Sequence, residues 1–102
     1  MVQISLGIIG GGQLGSMLAE SAKKINIKTI IYCDNMDAPA KNFSDEFICG
    51  KYNDDQQINE FLKKVDIVTF EFENIPFSTL SKINEKKKFY QIQTLIKSYK
   101  ID

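Results

Sequence analysis

Apolar positions along this chain follow two alternating periods. Residues 4–9, Ile-Ser-Leu-Gly-Ile-Ile, form a nearly unbroken apolar run, as expected of a parallel strand buried on both faces. Over residues 13–25 the spacing changes. Leu14, Met17, Leu18, Ala22 and Ile25 recur at helical intervals, with Glu20, Lys23 and Lys24 left for the surface, which predicts an amphipathic helix. Asn26 suits the stop of that helix. Residues 29–33 (Thr-Ile-Ile-Tyr-Cys) predict a second strand, residues 34–39 a loop, and residues 46–49 a short third strand. Asp54 and Asp55 then start a helix with Ile58, Phe61, Leu62 and Val65 on one face. Residues 66–70 read as a fourth strand that runs into Glu71-Phe72-Glu73-Asn74. Beyond it, Pro76 suits the first turn of another helix, Phe89 and Tyr90 a short strand, and Ile92, Leu95, Ile96 and Tyr99 a last helical stripe.

Four strands joined by three crossovers predict an α/β fold, a Rossmann-like doubly wound parallel sheet flanked by helices with right-handed connections. In that winding strand one lies beside strand four, and the ligand crevice opens at this reversal, outside the carboxyl ends of the strands. The segment after strand one and the segment 71–74 after strand four both reach it.

The segment after strand one is Gly10-Gly11-Gly12-Gln13-Leu14-Gly15. Strand, glycine turn and helix in that order build a phosphate site. Gly10 allows the tight turn, Gly12 lets an anion approach the backbone, and Gly15 lets the helix pack on the strand. The first N–H groups of the helix face the ligand, with the positive end of its dipole behind them. Across the crevice, Glu71 and Glu73 alternate with Phe70 and Phe72, which puts the carboxylates on one side and the rings on the other. The pair reads either as solvated loop acids or as acceptors for a ligand. A carboxylate repels phosphate but accepts from an amine or hydroxyl, so the second reading implies a ligand with phosphate at one end and N–H or O–H at the other. A competing reading is an NAD(P)-binding module. Asp34 follows Gly12 by 22 residues at the end of strand two, where an acid would hold a ribose hydroxyl. Asp34 is equally suited to starting a turn before Asn35.

Composition narrows the partners. The 102 residues suffice for one domain with a single core. Its 13 basic and 13 acidic side chains cancel, so no global field favours nucleic acid or a membrane surface. No apolar run has transmembrane length, and no signal peptide is read, so a cytoplasmic location is expected. With no His in the chain, imidazole catalysis and most zinc sites are excluded within it. Cys33 and Cys49 lack metal-ligand spacing and read as buried small thiols at strand ends rather than as a redox pair. Lys86-Lys87-Lys88 reads as a solvated loop rather than a phosphate clamp.

Three segments together, Gly7-Ile8-Ile9-Gly10-Gly11-Gly12-Gln13-Leu14-Gly15, Asp37-Ala38-Pro39-Ala40 and Thr69-Phe70-Glu71-Phe72-Glu73-Asn74, resemble the N-terminal domain of 5-(carboxyamino)imidazole ribonucleotide synthases. These are purine-biosynthesis enzymes of the ATP-grasp superfamily. The resemblance implies a single pre-ATP-grasp domain over residues 1–102, without the ATP-grasp and C-terminal domains. It implies that the intact enzyme uses MgATP and bicarbonate to carboxylate the exocyclic amine of aminoimidazole ribonucleotide, through a carboxyphosphate. It also implies that such an enzyme can be a homodimer. Carried over by position, Gly11, Gly12, Gln13 and Leu14 contact the small-molecule ribonucleotide, and Glu71 and Glu73 take its amine or ribose hydroxyls. On this view Asp34 is a loop residue or a family-specific contact, and this chain alone is expected neither to bind MgATP tightly nor to catalyse the reaction. The chain departs from the family pattern at Ser16, where a basic residue is common, and at Gln91, where a proline is expected.

Overall fold

The computed structural model describes residues 3–70, 78, 79, 81, 83 and 88–91. Five parallel strands form one sheet: β1 (Ser5–Ile9), β2 (Lys28–Cys33), β3 (Glu46–Cys49), β4 (Ile67–Phe70) and β5 (Lys88–Gln91), in the order β3-β2-β1-β4-β5. The expected reversal at β1 is there. The chain winds outward one way through β2 and β3, then returns to place β4 on the other side of β1. The fifth strand includes the expected Phe89 and Tyr90. Its first residue, Lys88, pairs in register with Ile67, so Lys88 belongs to the sheet and not to a solvated loop. Lys86, Lys87, Pro76 and the stripe at residues 92–99 lie outside the described residues.

Alternation along the strands divides the core into two layers. Leu6, Ile8, Ile31 and Cys33 point to one face, where they meet Leu18 and Ala19 of helix α1 (Gln13–Lys24) together with Ala38 and Ala40. Ile9, Ile30, Tyr32 and Val68 point to the other. There they meet Ile58, Phe61 and Leu62 of helix α2 (Asp55–Lys63), along with Val65 and Ile83. All four residues expected on the apolar face of α2 are therefore buried. Asp54 caps that helix by accepting from the Gln57 N–H at 3.2 Å, satisfying one of its unpaired donors. Gly7 permits the close packing of this layer: a Cβ there would lie 2.6 Å from Phe61 Cζ and 2.9 Å from Val65 Cγ1. Ser78, Thr79, Ser81 and Ile83 are helical, and Thr79 Oγ1 donates to the Tyr52 carbonyl at 2.6 Å.

Helix α1 buries Leu18 and Ala22 of its expected stripe but not the other three residues. Gly15, Ser16, Leu18, Ala19 and Ala22 are covered, whereas Leu14 is 42 %, Met17 50 % and Ile25 63 % exposed. Small residues on the inner stripe bring the helix axis close to the sheet, and the larger side chains then flank the contact. Asn26 ends the element with φ 60°, a left-handed conformation that Asn tolerates. The expected loop after β2 also contains more order than its composition signals. Pro39–Phe43 is a 3₁₀ helix begun by Pro39, with Ala38 and Ala40 buried against the α1 layer.

Candidate functional site

The glycine turn lies where the β1 strand leaves the sheet. Gly10 has φ 106°, which an L side chain rarely adopts, and its N–H donates to the Tyr32 carbonyl at 2.8 Å, extending the β1–β2 ladder by one bond. Gly11 turns inward. It is buried, and a Cβ on it would lie 2.6 Å from Ala38 Cβ and 3.2 Å from Cys33 Sγ. Its carbonyl accepts from the Ala40 N–H at 2.9 Å. The glycine turn is therefore held from behind by the start of the 3₁₀ helix, a support the sequence patterning did not reveal. The signal for it was Ala38-Pro39-Ala40: small residues around a proline that can open a helical turn.

Gly12 is the N-cap of α1, extended at φ −79° and ψ −159° and half-buried. Gly12 has no side chain of its own to cap this end, and the first turn contains no acidic residue. The positive end of the helix dipole is thus left uncompensated by the helix's own side chains, while Lys23 and Lys24 complement its far end. Gln13 and Leu14 stand exposed in the first turn. Ser16 faces inward, and its hydroxyl donates to the Gly12 carbonyl at 3.1 Å. This arrangement suits an anionic group outside the turn, with backbone donors in front and Gln13 beside it.

Glu71 and Glu73 lie outside the described residues. The structure does place Phe70, the residue before them, in register with Ile9, the residue before Gly10. The chain thus leaves β4 next to the point where it leaves β1. Thr69 Oγ1, on β4 opposite Ile8, is the one buried side-chain polar atom among the described residues with no hydrogen-bond partner. Its signal in the sequence was a hydroxyl inside an otherwise apolar strand.

Asp34 follows β2 and is exposed. The turn there is made by its neighbour: Asn35 Oδ1 accepts from the Asp37 N–H at 2.9 Å, and the Asn35 carbonyl accepts from Ala38 at 3.2 Å. The two thiols also differ from expectation, since Cys33 is buried but Cys49 is only half-buried. Tyr32 lies beneath this edge, donating to the Lys51 carbonyl, with its ring tilted at 55° to Phe61 and the centroids 5.6 Å apart. Burial, and then the charges of Asp54 and Cys49, push its phenol up to about 12. Among the described residues no group of three His, Cys, Asp or Glu side chains could hold a metal ion. No helix there is long and apolar enough to cross a membrane.

Fold and site together define a doubly wound α/β domain with a glycine turn at its winding reversal. The ribonucleotide synthetase preATP-grasp domain family matches residues 1–97, and the chain belongs to that family. Its relatives are N5-carboxyaminoimidazole ribonucleotide synthases. The one from Staphylococcus haemolyticus is 44 % identical over 82 residues, covering 80 % of this chain and 22 % of the relative. The crystal structure of N5-carboxyaminoimidazole synthetase from Staphylococcus aureus superposes with a TM-score of 0.80 at 39 % identity, covering 86 % of this chain and 24 % of that one. The Aspergillus clavatus synthase, in complex with ADP and 5-aminoimidazole ribonucleotide, gives a TM-score of 0.72 at 32 % identity over 85 % and 23 % of the two chains. The chain thus spans less than a quarter of the length of these relatives.

Proposed function

We propose that this chain supplies the ribonucleotide-side wall of an ATP-dependent N5-carboxyaminoimidazole ribonucleotide synthase. That enzyme carboxylates 5-aminoimidazole ribonucleotide with bicarbonate in the cytoplasm and can work as a homodimer. The observation that carries the reading is the glycine N-cap of α1, followed by a first turn without an acidic residue, at the β1–β4 reversal in a chain of this family. The backbone of Gly11 and Gly12, with Gln13 and Leu14, receives the phosphate-bearing end of the ligand. Glu71 and Glu73 accept from its amine or ribose hydroxyls. Related enzymes are described in complex with ADP or ATP. We assign the nucleotide and Mg²⁺ to other parts of such an enzyme, as the family resemblance implies. What this domain supplies is binding and orientation: it fixes the phosphate so that the exocyclic amine is presented outward.

Calorimetric titration of the 102-residue chain with 5-aminoimidazole ribonucleotide, and separately with NADH, tests this. The expected result is saturable ribonucleotide binding that Asp34→Ala leaves unchanged, no NADH binding, and no phosphate release from ATP and bicarbonate above blank. NADH binding lost in Asp34→Ala would overturn the reading in favour of a dinucleotide module.

A further inference from the structure

We propose that Cys33 and Cys49 form a dithiol that a peroxide oxidises to an intramolecular disulfide, a reversible modification site behind the glycine turn. The two residues end neighbouring parallel strands and are direct register partners. Adjacent strands lie about 4.8 Å apart, inside the range of roughly 4.4–6.8 Å between Cα atoms that a disulfide spans. Strand alternation directs both Cβ atoms to the α1 side of the sheet. Ile31 and Cys33 belong to that layer, Phe47 packs against it, and Cys49 follows Phe47 by two positions. The Gly50 N–H, donating to the Cys33 carbonyl at 3.0 Å, ties the two strand ends together.

The difference in exposure assigns the roles. Half-buried Cys49 meets the oxidant, and buried Cys33 resolves it. The Cys49 thiolate attacks one peroxide oxygen, giving a sulfenic acid and releasing one water once the leaving hydroxide is protonated. The Cys33 sulfur then attacks the Cys49 sulfur; the S–S bond forms, the S–O bond breaks, and a second water leaves. Peroxide is reduced to two waters, and the protein loses two hydrogens.

The consequence reaches the glycine turn. Cys33 Sγ accepts from the Tyr52 hydroxyl at 3.8 Å and lies 3.2 Å from where a Gly11 Cβ would stand. Turning this sulfur toward Cys49 changes what packs behind Gly11. This inference concerns the thiols alone and stands whether or not the turn binds a ribonucleotide.

The test treats the reduced 102-residue chain with hydrogen peroxide, alkylates it with N-ethylmaleimide in denaturant, and reads the intact mass. The expected product is monomeric, about 2 Da lighter, unalkylated, and restored by dithiothreitol. Its Gly11 amide resonance is shifted relative to the reduced chain. Two alkylated thiols, a sulfinic acid at Cys49 or a disulfide-linked dimer as the main product would overturn the proposal. Cys49→Ser, at a half-buried position, keeps the fold and leaves Cys33 alkylatable after the same treatment. Oxidation of Cys33 at the wild-type rate in that variant would also overturn it.

Discussion

The two ends of the sheet treat backbone donors in opposite ways. At the N-terminal edge, carboxylates close the strand entries. Asp66 Oδ2 accepts from the Ser5 N–H at 2.9 Å while the Asp66 N–H donates to the Ser5 carbonyl at 2.8 Å. Asp45 makes the same reciprocal pair with Thr29, at 2.8 and 3.1 Å. At the C-terminal edge the chain instead offers a glycine N-cap, no acid in the first turn of α1, and exposed Gln13 and Leu14. A domain that closes one edge with its own carboxylates and puts no acid of α1 at the other is suited to an anionic ligand at the second edge.

The largest effect is expected where the glycine turn meets its support. Gly11→Val places a branched side chain against Ala38 and Cys33, where even a Cβ is 2.6 Å from its neighbour. Urea denaturation should show a loss of about 1–3 kcal/mol, and ribonucleotide binding should be lost with it. A variant of wild-type stability would mean that the 3₁₀ helix does not hold the turn. At the opposite edge, Asp66→Ala removes the acceptor for Ser5 and should cost about 1–2 kcal/mol while leaving ribonucleotide affinity unchanged. A parallel loss of affinity would erase the distinction between the edges.

The smallest effect at neutral pH is expected at Tyr32, beneath the ligand edge. Its phenol stays protonated in the folded chain up to about 12, whereas the unfolded tyrosine ionises near the ordinary value of 10.0. The folded state binds this proton more tightly, so the term is fully present below pH 10 and shrinks as pH rises toward 12. Tyr32→Phe should lose about 1 kcal/mol at neutral pH with the hydrogen bond to Lys51, and its stability should fall less steeply above pH 10. Equal slopes for the two proteins in pH-dependent urea denaturation would show that the burial of this phenol does not matter.

Much of this was legible in the residues because the signals are local. A continuous apolar run marked β1, helical spacing marked α2, and Asp54 marked a cap; each works through neighbours within a few positions. The order of strands followed from crossover rules and placed β4 beside β1 as expected. What stayed hidden depends on contacts across the chain. Of the expected stripe, Leu18 and Ala22 are buried, but Gly15 and Ala19 take the places against the sheet that Leu14 and Met17 were expected to fill. The support behind Gly11 comes from Ala38 and Ala40, on a segment that reads as loop. Cys33 and Cys49 stand 16 positions apart in the chain and become neighbours only through strand register. At the site, the strand, glycine turn and helix were legible, whereas the inward orientation of Gly11 was not.

The most direct measurement follows from giving the ligand edge what the other edge already has. Gly12→Asp introduces a carboxylate at the N-cap of α1, a position whose extended backbone suits it. Stability in urea and ribonucleotide affinity by calorimetry are then read on the same variant. If this helix end receives the ligand's phosphate, stability rises by about 0.5–1 kcal/mol while affinity falls by roughly tenfold or more. A variant that is stabilised and still binds the ribonucleotide with wild-type affinity would contradict the assignment of this helix end as the phosphate site.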